Sequence, residues 1–224
     1  MKKVDVLRNF LQSSSPVCVI GGGTKGISLD LSPSNEVLKK VDISNSDAFS
    51  AYVDAVIQQN NADFAWGGYL EKRLIYQRST VFKDDTVPER NIHLGIDLWC
   101  DAGTLVFAAL DGIIHSFQHN DAWGDYGPTI ILEHQVNNLT FYTLYGHLSF
   151  ESLQGITTNQ KVQKGQQIAT LGDSSVNGDY PPHLHFQIIR DLQGKKGDYP
   201  GVCAESEVEF YRENCPDANF LLRL

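Results

Sequence analysis

The spacing of apolar positions changes character along the chain. Val4, Leu7, Phe10 and Leu11 fall at helical steps, and Ser13-Ser14-Ser15-Pro16 ends the helix predicted over residues 4–12. Val17-Cys18-Val19-Ile20 reads as a short strand. A glycine turn follows, and the alternation of Ile27-Ser28-Leu29-Asp30-Leu31 predicts a second strand. From Ser46 to Gln59, Phe49, Tyr52, Val53, Val56 and Ile57 recur every three or four residues, which predicts an amphipathic helix with Ser46 as its N-cap. Residues 79–91 are polar and carry a proline, as a connection does. From Ile92 the texture becomes short β-branched runs broken by glycine, at 104–109, 112–117, 129–134, 139–145, 167–171 and 184–189. With turns at Asp111-Gly112 and Lys164-Gly165, these predict a mainly β fold, an antiparallel sheet closing as a sandwich or barrel. The expected division is an α+β segment over residues 1–80 packing on a β domain over residues 81–224.

Composition narrows the classes. A 224-residue chain with 42% hydrophobic and 20% charged residues can bury a sizeable core and does not resemble a disordered one. No apolar run approaches the roughly 18–20 residues of a membrane helix. Eighteen basic against 27 acidic residues give a net charge of −9, which excludes nucleic-acid binding as the main role. Residues 1–90 hold 11 charges of each sign, whereas residues 91–190 hold 9 acidic and 3 basic side chains. The acidic excess thus begins where the histidines begin. Such a field attracts cations, although most acidic surfaces only maintain solubility. Cys18, Cys100, Cys203 and Cys215 lack zinc-finger spacing; Cys203 and Cys215 could pair, but free thiols are the simpler reading. No h-region of about 7–15 apolar residues follows the N-terminus, so the expectation is a cytoplasmic chain, extracytoplasmic only if the native N-terminus differs.

Two patterns invite a chemical reading. Gly21-x-Gly23-x-x-Gly26 matches the dinucleotide fingerprint literally, but the last glycine leads into strand-like alternation rather than a helix, so a hairpin turn is the expectation. The histidines carry more. In His183-Leu184-His185, ahead of Phe186-Gln187-Ile188-Ile189, period two puts both imidazoles on one face. In His93-Leu94-Gly95-Ile96-Asp97, positions 93 and 97 share a face of an extended segment, and Gly95 offers nothing to obstruct an ion. Two imidazoles and a carboxylate suit zinc with a fourth position left for water, the catalytic pattern. Tyr145-Gly146-His147 adds a further histidine at the end of an aromatic-rich strand. His115 and His119 are expected to face solvent, His134 to be a satisfied strand residue, and Trp66, Tyr69, Trp99 and Trp123 to pack in the core.

Taken together, His93-x-x-x-Asp97, Tyr145-Gly146-His147 and His183-x-His185 resemble, in order and spacing, the lysostaphin-type zinc metallopeptidases. Asp111-Gly112, Lys164-Gly165-Gln166 and His185-Phe186-Gln187 are similar to that family too, and the likeness covers roughly residues 90–190. Residues 66–79, 123–134 and 199–216 resemble a subgroup lying between kinase-like and aminotransferase domains in cytosolic proteins. The resemblance implies one zinc ion per chain held by His93, Asp97 and His185. It implies that His183 helps deprotonate the attacking water and that His147 stabilises the oxyanion. The substrate it implies is a peptide or peptidoglycan-like chain. Tyr180-Pro181-Pro182 departs from the family's approach to H-x-H, which leaves the ligands in place but alters the substrate groove. The alternatives are a cytosolic zinc hydrolase with a non-wall substrate and a non-catalytic binding module of the same fold. A lipoyl-like carrier hairpin at Val162–Gln166 lacks a lysine at a carrier turn.

Overall fold

The computed structural model describes residues 3–78, 88–136 and 138–224. Helix α1 spans Lys3–Ser13 and α2 spans Ser46–Gln59; short helices α3 (Val208–Asn214) and α4 (Asn219–Leu222) close the chain. The strands are β1 (Gly26–Ser28), β2 (Phe64–Gly67), β3 (Arg90–His93), β4 (Ile96–Trp99), β5 (Leu105–Phe107), β6 (Gly112–Asn120), β7 (Gly127–Val136), β8 (Leu139–Gly146), β9 (Lys161–Val162), β10 (Gln167–Thr170), β11 (His183–Ile189) and β12 (Val202–Ala204). Eight of them form one sheet in the order β1-β2-β4-β11-β8-β7-β6-β9, while β5 pairs with β10 and β3 with β12. The fold is mainly β, as the short alternating runs predict.

Several expectations need correction. The large sheet stays open, so no barrel closes, and it is mixed, because β1 runs parallel to β2. Val17–Ile20 forms no strand beyond a single bridge from Ile20 to Val106, and it does not pair with β1. The glycine loop before β1 is therefore not a hairpin. Its Thr24 and Lys25 amides donate to the Asp63 carboxylate at 2.9 and 2.8 Å, so an internal side chain already occupies the donors a phosphate would need. The α2 cap is Asn45 rather than Ser46: its Oδ1 accepts from the Ala48 amide at 2.9 Å. Of the predicted connection at 79–91, residues 79–87 lie outside the described residues, and Arg90 and Asn91 already belong to β3.

The period of β11 sorts core from site. Leu184, Phe186 and Ile188 point into the main core with Ile96 and Leu98 of β4 and Leu7 and Leu11 of α1. Each contributes about 1.5–3 kcal/mol by leaving water. His183, His185 and Gln187 take the opposite face, buried nonetheless, because a second cluster covers it. There Phe49 and Val53 of α2 pack with Trp99, Tyr76 and Tyr180.

His134 is a satisfied strand residue, its rings nitrogens 2.8 Å from the Asp111 carbonyl and 2.7 Å from Thr143 Oγ1. Burial pushes its pKa down to about 4. The unfolded chain binds this proton near pH 6.5 and the folded one does not, so the stability involved is complete above about pH 6.5. It is lost as pH falls toward about 4, by about 3 kcal/mol. Urea midpoints measured from pH 7 to 4 should fall more steeply for wild type than for His134→Gln; parallel curves would contradict this account.

Candidate metal centre

One row of cross-strand neighbours organises the site. Gly67 of β2 pairs with Asp97 of β4, Asp97 with His185 of β11, and His185 with Gly146 of β8. The carboxylate and imidazole thus stand side by side between two residues without side chains. His93 ends β3, and the Leu94-Gly95 link turns it back toward Asp97. Gly95 leaves room for His185 itself: a Cβ there would lie 2.7 Å from the imidazole Nε2 and 2.8 Å from the Phe186 carbonyl oxygen. His147 follows Gly146 in the left-handed region at φ 62°, a costly conformation for a non-glycine residue. Its amide donates to the Tyr126 carbonyl at 2.9 Å, which holds the turn. All five predicted residues come together, each between 1% and 5% exposed.

His93 Nε2, Asp97 Oδ1 and His185 Nδ1 form a triangle with edges of 2.9, 3.1 and 3.2 Å. Tetrahedral zinc with ligands at about 2.0–2.1 Å needs edges of about 3.3–3.4 Å, so the triangle has nearly the required size. Proton positions make the case stronger. His93 Nδ1 lies 2.8 Å from the Gly68 carbonyl, which only accepts, so the ring proton sits on Nδ1. Gln187 Nε2 donates to the Pro200 carbonyl at 3.1 Å, which turns Oε1 toward His185 Nε2 at 2.9 Å and places that ring's proton on Nε2. Three lone pairs therefore face one another. Protonating His93 would relieve the clash, but burial and Arg73 push its pKa down to about 4. A cation between the three atoms relieves it without that cost, and the donor set fits zinc.

The two remaining histidines sit beside the triangle. Their ring centroids are 4.1 Å apart. His183 donates from Nδ1 to the Pro181 carbonyl at 2.7 Å, and His147 from Nδ1 to the Asn177 carbonyl at 2.8 Å. Each therefore carries its free lone pair on Nε2, and His183 Nε2 lies 3.9 Å from Asp97 Oδ1. Burial lowers both pKa values, and the neighbouring imidazoles lower that of His147 further. Both rings rest neutral near pH 7, and protonating one opposes protonating the other.

Sequence reasoning missed several participants. Arg73 donates to Asp97 Oδ2 at 2.5 Å, and Gln187 fixes His185. Tyr126, with its hydroxyl 3.4 Å from His185 Nε2, packs against both His147 and His185. Trp99 is buried as expected and stacks on His183. Trp123 contradicts its core assignment: it is 47% exposed, with Nε1 3.2 Å from Asp179 Oδ2. His115 and His119 are partly buried against Tyr142 and Phe150 rather than freely solvated. The described cysteines are all unpaired by disulfides.

A cavity of about 170 Å³ opens on the triangle. Tyr76, Trp99, Tyr126 and Tyr180 contribute to its walls, with Leu31 and Phe49 from the N-terminal segment. Tyr180, in the departing Tyr180-Pro181-Pro182 approach, donates its hydroxyl to the Gly124 carbonyl at 3.0 Å.

An open mainly β sheet that sets two histidines and an aspartate around a metal-sized triangle defines a candidate mononuclear metalloprotein site. Residues 91–198 match the model of Peptidase family M23. The chain is similar to the L-Ala--D-Glu endopeptidase of Bacillus subtilis, with 31% identity over 55% of this chain and 38% of that protein. The peptidoglycan DD-endopeptidase ShyC of Vibrio cholerae is 33% identical over 43% of this chain and 20% of its own length. The chain therefore spans well under half the length of these relatives. Among solved structures, it is similar to the catalytic domain of lysostaphin from Staphylococcus simulans, at 23% identity and a TM-score of 0.43, covering 69% of this chain and 96% of that one. Among the described residues, no helix is long and apolar enough to cross a membrane.

Proposed function

We propose that this chain is a zinc-dependent peptidase that hydrolyses a peptide bond in a short peptide, of peptidoglycan type or otherwise. The observation that carries the reading is the convergence of three lone pairs on His93, Asp97 and His185, with two neutral imidazoles beside them. Zinc held by these three residues supplies Lewis-acid polarisation of a carbonyl and lowers the pKa of water at the site toward about 7. The chain supplies the proton transfers. His183 accepts the water proton at Nε2, while its Nδ1–H stays on Pro181 and keeps the ring aimed. Once His183 Nε2 holds the water proton it becomes the donor that returns it to the leaving amine, and His147, neutral with its Nδ1–H on Asn177, donates from Nε2 to the developing oxyanion only after taking that same proton over from His183. Burial disfavours the imidazolium form of both rings, so each gives up a proton more readily than a free imidazolium does.

At about 170 Å³ the cavity lies below the roughly 300–1,000 Å³ of typical ligand pockets, so its enclosed part takes only the portion of a peptide next to the scissile bond. The test is a panel of oligoglycine, peptidoglycan-derived and cytosolic peptides incubated with zinc-loaded protein and with His93→Ala/His185→Ala. The expected result is cleavage of at least one short peptide by wild type and loss of both zinc and cleavage in the double variant. Zinc retained in full by that variant would refute the ligand assignment. A zinc-loaded wild type that cleaves nothing above background would replace the peptidase reading with the binding module.

A further inference from the structure

Asp97 uses its two oxygens differently. Oδ1 faces His93 and His185, whereas Oδ2 accepts from Arg73 Nη1 at 2.5 Å. Arg73 lies outside the M23 match, in the stretch after β2, and its side chain is only 3% exposed. The backbone around it is tied to β3. Leu70 N donates to the His93 carbonyl, His93 N to the Glu71 carbonyl and Arg73 N to the Asn91 carbonyl, at 2.8–2.9 Å. The guanidinium is also held from its other edge: Nε donates to Glu71 Oε2 at 2.6 Å, and Trp99 lies against it at 5.6 Å. Glu71 is fixed in turn by the Leu31 amide, 2.9 Å from Oε1.

We propose that Arg73 is a positioning residue of the metal centre, restricting Asp97 to a single ligating oxygen, so that the N-terminal segment completes the site. This rests on the zinc reading above. A buried cation beside a metal site would ordinarily repel the metal. Here Glu71 cancels its charge, so Glu71, Arg73 and Asp97 together still present one negative charge to the triangle. The planar fork of Arg reaches both carboxylates at once, which a lysine ammonium cannot do with the same geometry. Without Arg73, Oδ2 is released, and Asp97 can rotate away or offer both oxygens.

The experiment titrates metal-stripped wild type, Arg73→Lys, Arg73→Met and Glu71→Gln with zinc against a chromophoric chelator, and records visible spectra after cobalt substitution. Zinc affinity should fall about 10–100-fold in Arg73→Met and less in Arg73→Lys, the range for lost partners of metal ligands. The cobalt bands should weaken and shift as coordination departs from four. A purely structural arginine would lower Tm yet leave affinity and spectrum unchanged, and that result in any folded Arg73 variant overturns the proposal. Should neither Arg73 variant fold, Glu71→Gln decides: it keeps the contact to Asp97 but removes the compensating charge, so zinc should bind about tenfold more weakly, and unchanged binding overturns the proposal. Wild type that takes up neither zinc nor cobalt overturns the zinc reading and this proposal together, whereas tight wild-type binding with unaffected variants overturns this proposal alone.

Discussion

His183→Ala should lower kcat by about 10²–10⁴-fold while the protein keeps its full complement of zinc. The separation of the two effects follows from where the ring sits. Its Nε2 is 3.9 Å from Asp97 Oδ1, beyond the 2.9–3.2 Å edges of the ligand triangle, so removing it takes away no member of that triangle. Its orientation comes from the Pro181 carbonyl and from stacking on Trp99, neither of which holds a ligand in place. The pH profile should carry the same signature. Burial lowers the His183 pKa, so the neutral, proton-accepting form persists below the ordinary imidazole range. Activity is therefore lost on the acid side only at a pH below about 6.5. Single-turnover assays with zinc measured on the same samples separate the possibilities. If His183→Ala turns over within a few-fold of wild type, the base lies elsewhere, and His147, whose Nε2 is equally free, is the next candidate.

What was legible in the chain was what local periodicity encodes. His183-Leu184-His185 had to present two imidazoles on one face because a strand alternates, and β11 does so, with Leu184 in the core. The 93–97 pairing was expected from alternation along one extended segment, but His93 and Asp97 lie on separate strands of different sheets, and it is the bend at Leu94-Gly95 that brings them to 3.2 Å. Helix α2 was readable from its three- and four-residue steps, but its cap was not, since Asn45 and Ser46 are both good caps and only the backbone at Asn45 decides between them.

The rest depended on contacts that no spacing reports. Arg73 stands in the charged run Glu71-Lys72-Arg73, which reads as a solvated face, and its partner Asp97 is 24 residues away. Strand β2, Phe64-Ala65-Trp66-Gly67, is too short to show a period, yet it brings that run to the metal centre by pairing with β4. Val17–Ile20 failed in the opposite sense. It has strand composition, but Val17, Val19 and Ile20 are held by core packing, and its backbone makes one β-bridge, to Val106, and one further backbone hydrogen bond, from Val17 N to the Leu221 carbonyl. Trp123 was assigned to the core on residue type alone, and a large aromatic side chain on a turn can stay outside when a neighbouring carboxylate satisfies its indole N–H.

Gly95→Ala should abolish tight zinc binding, an effect larger than its single methyl group suggests. The added Cβ would sit 2.7 Å from both Cε1 and Nε2 of His185 and 2.8 Å from the Phe186 carbonyl oxygen, distances that real Cβ contacts do not show. The carbonyl belongs to β11, paired on one side with β4 and on the other with β8, so the backbone has little freedom to retreat. The imidazole must yield. Turning it breaks the Nε2–H bond to Gln187 and carries Nδ1 away from Asp97 Oδ1, which disturbs both the ligand and the partner that sets its tautomer. Loss of one imidazole from a three-ligand site should weaken zinc by more than the about 10–100-fold typical of an outer partner. The overpacking itself should cost about 1–3 kcal/mol of folding stability. Gly95 is not in the left-handed region, so backbone strain plays no part in the expected loss. Chelator competition gives the affinity, and urea unfolding of the metal-free protein gives the stability. Zinc affinity within a few-fold of wild type in a folded Gly95→Ala protein would mean that His185 is not held where the metal requires it.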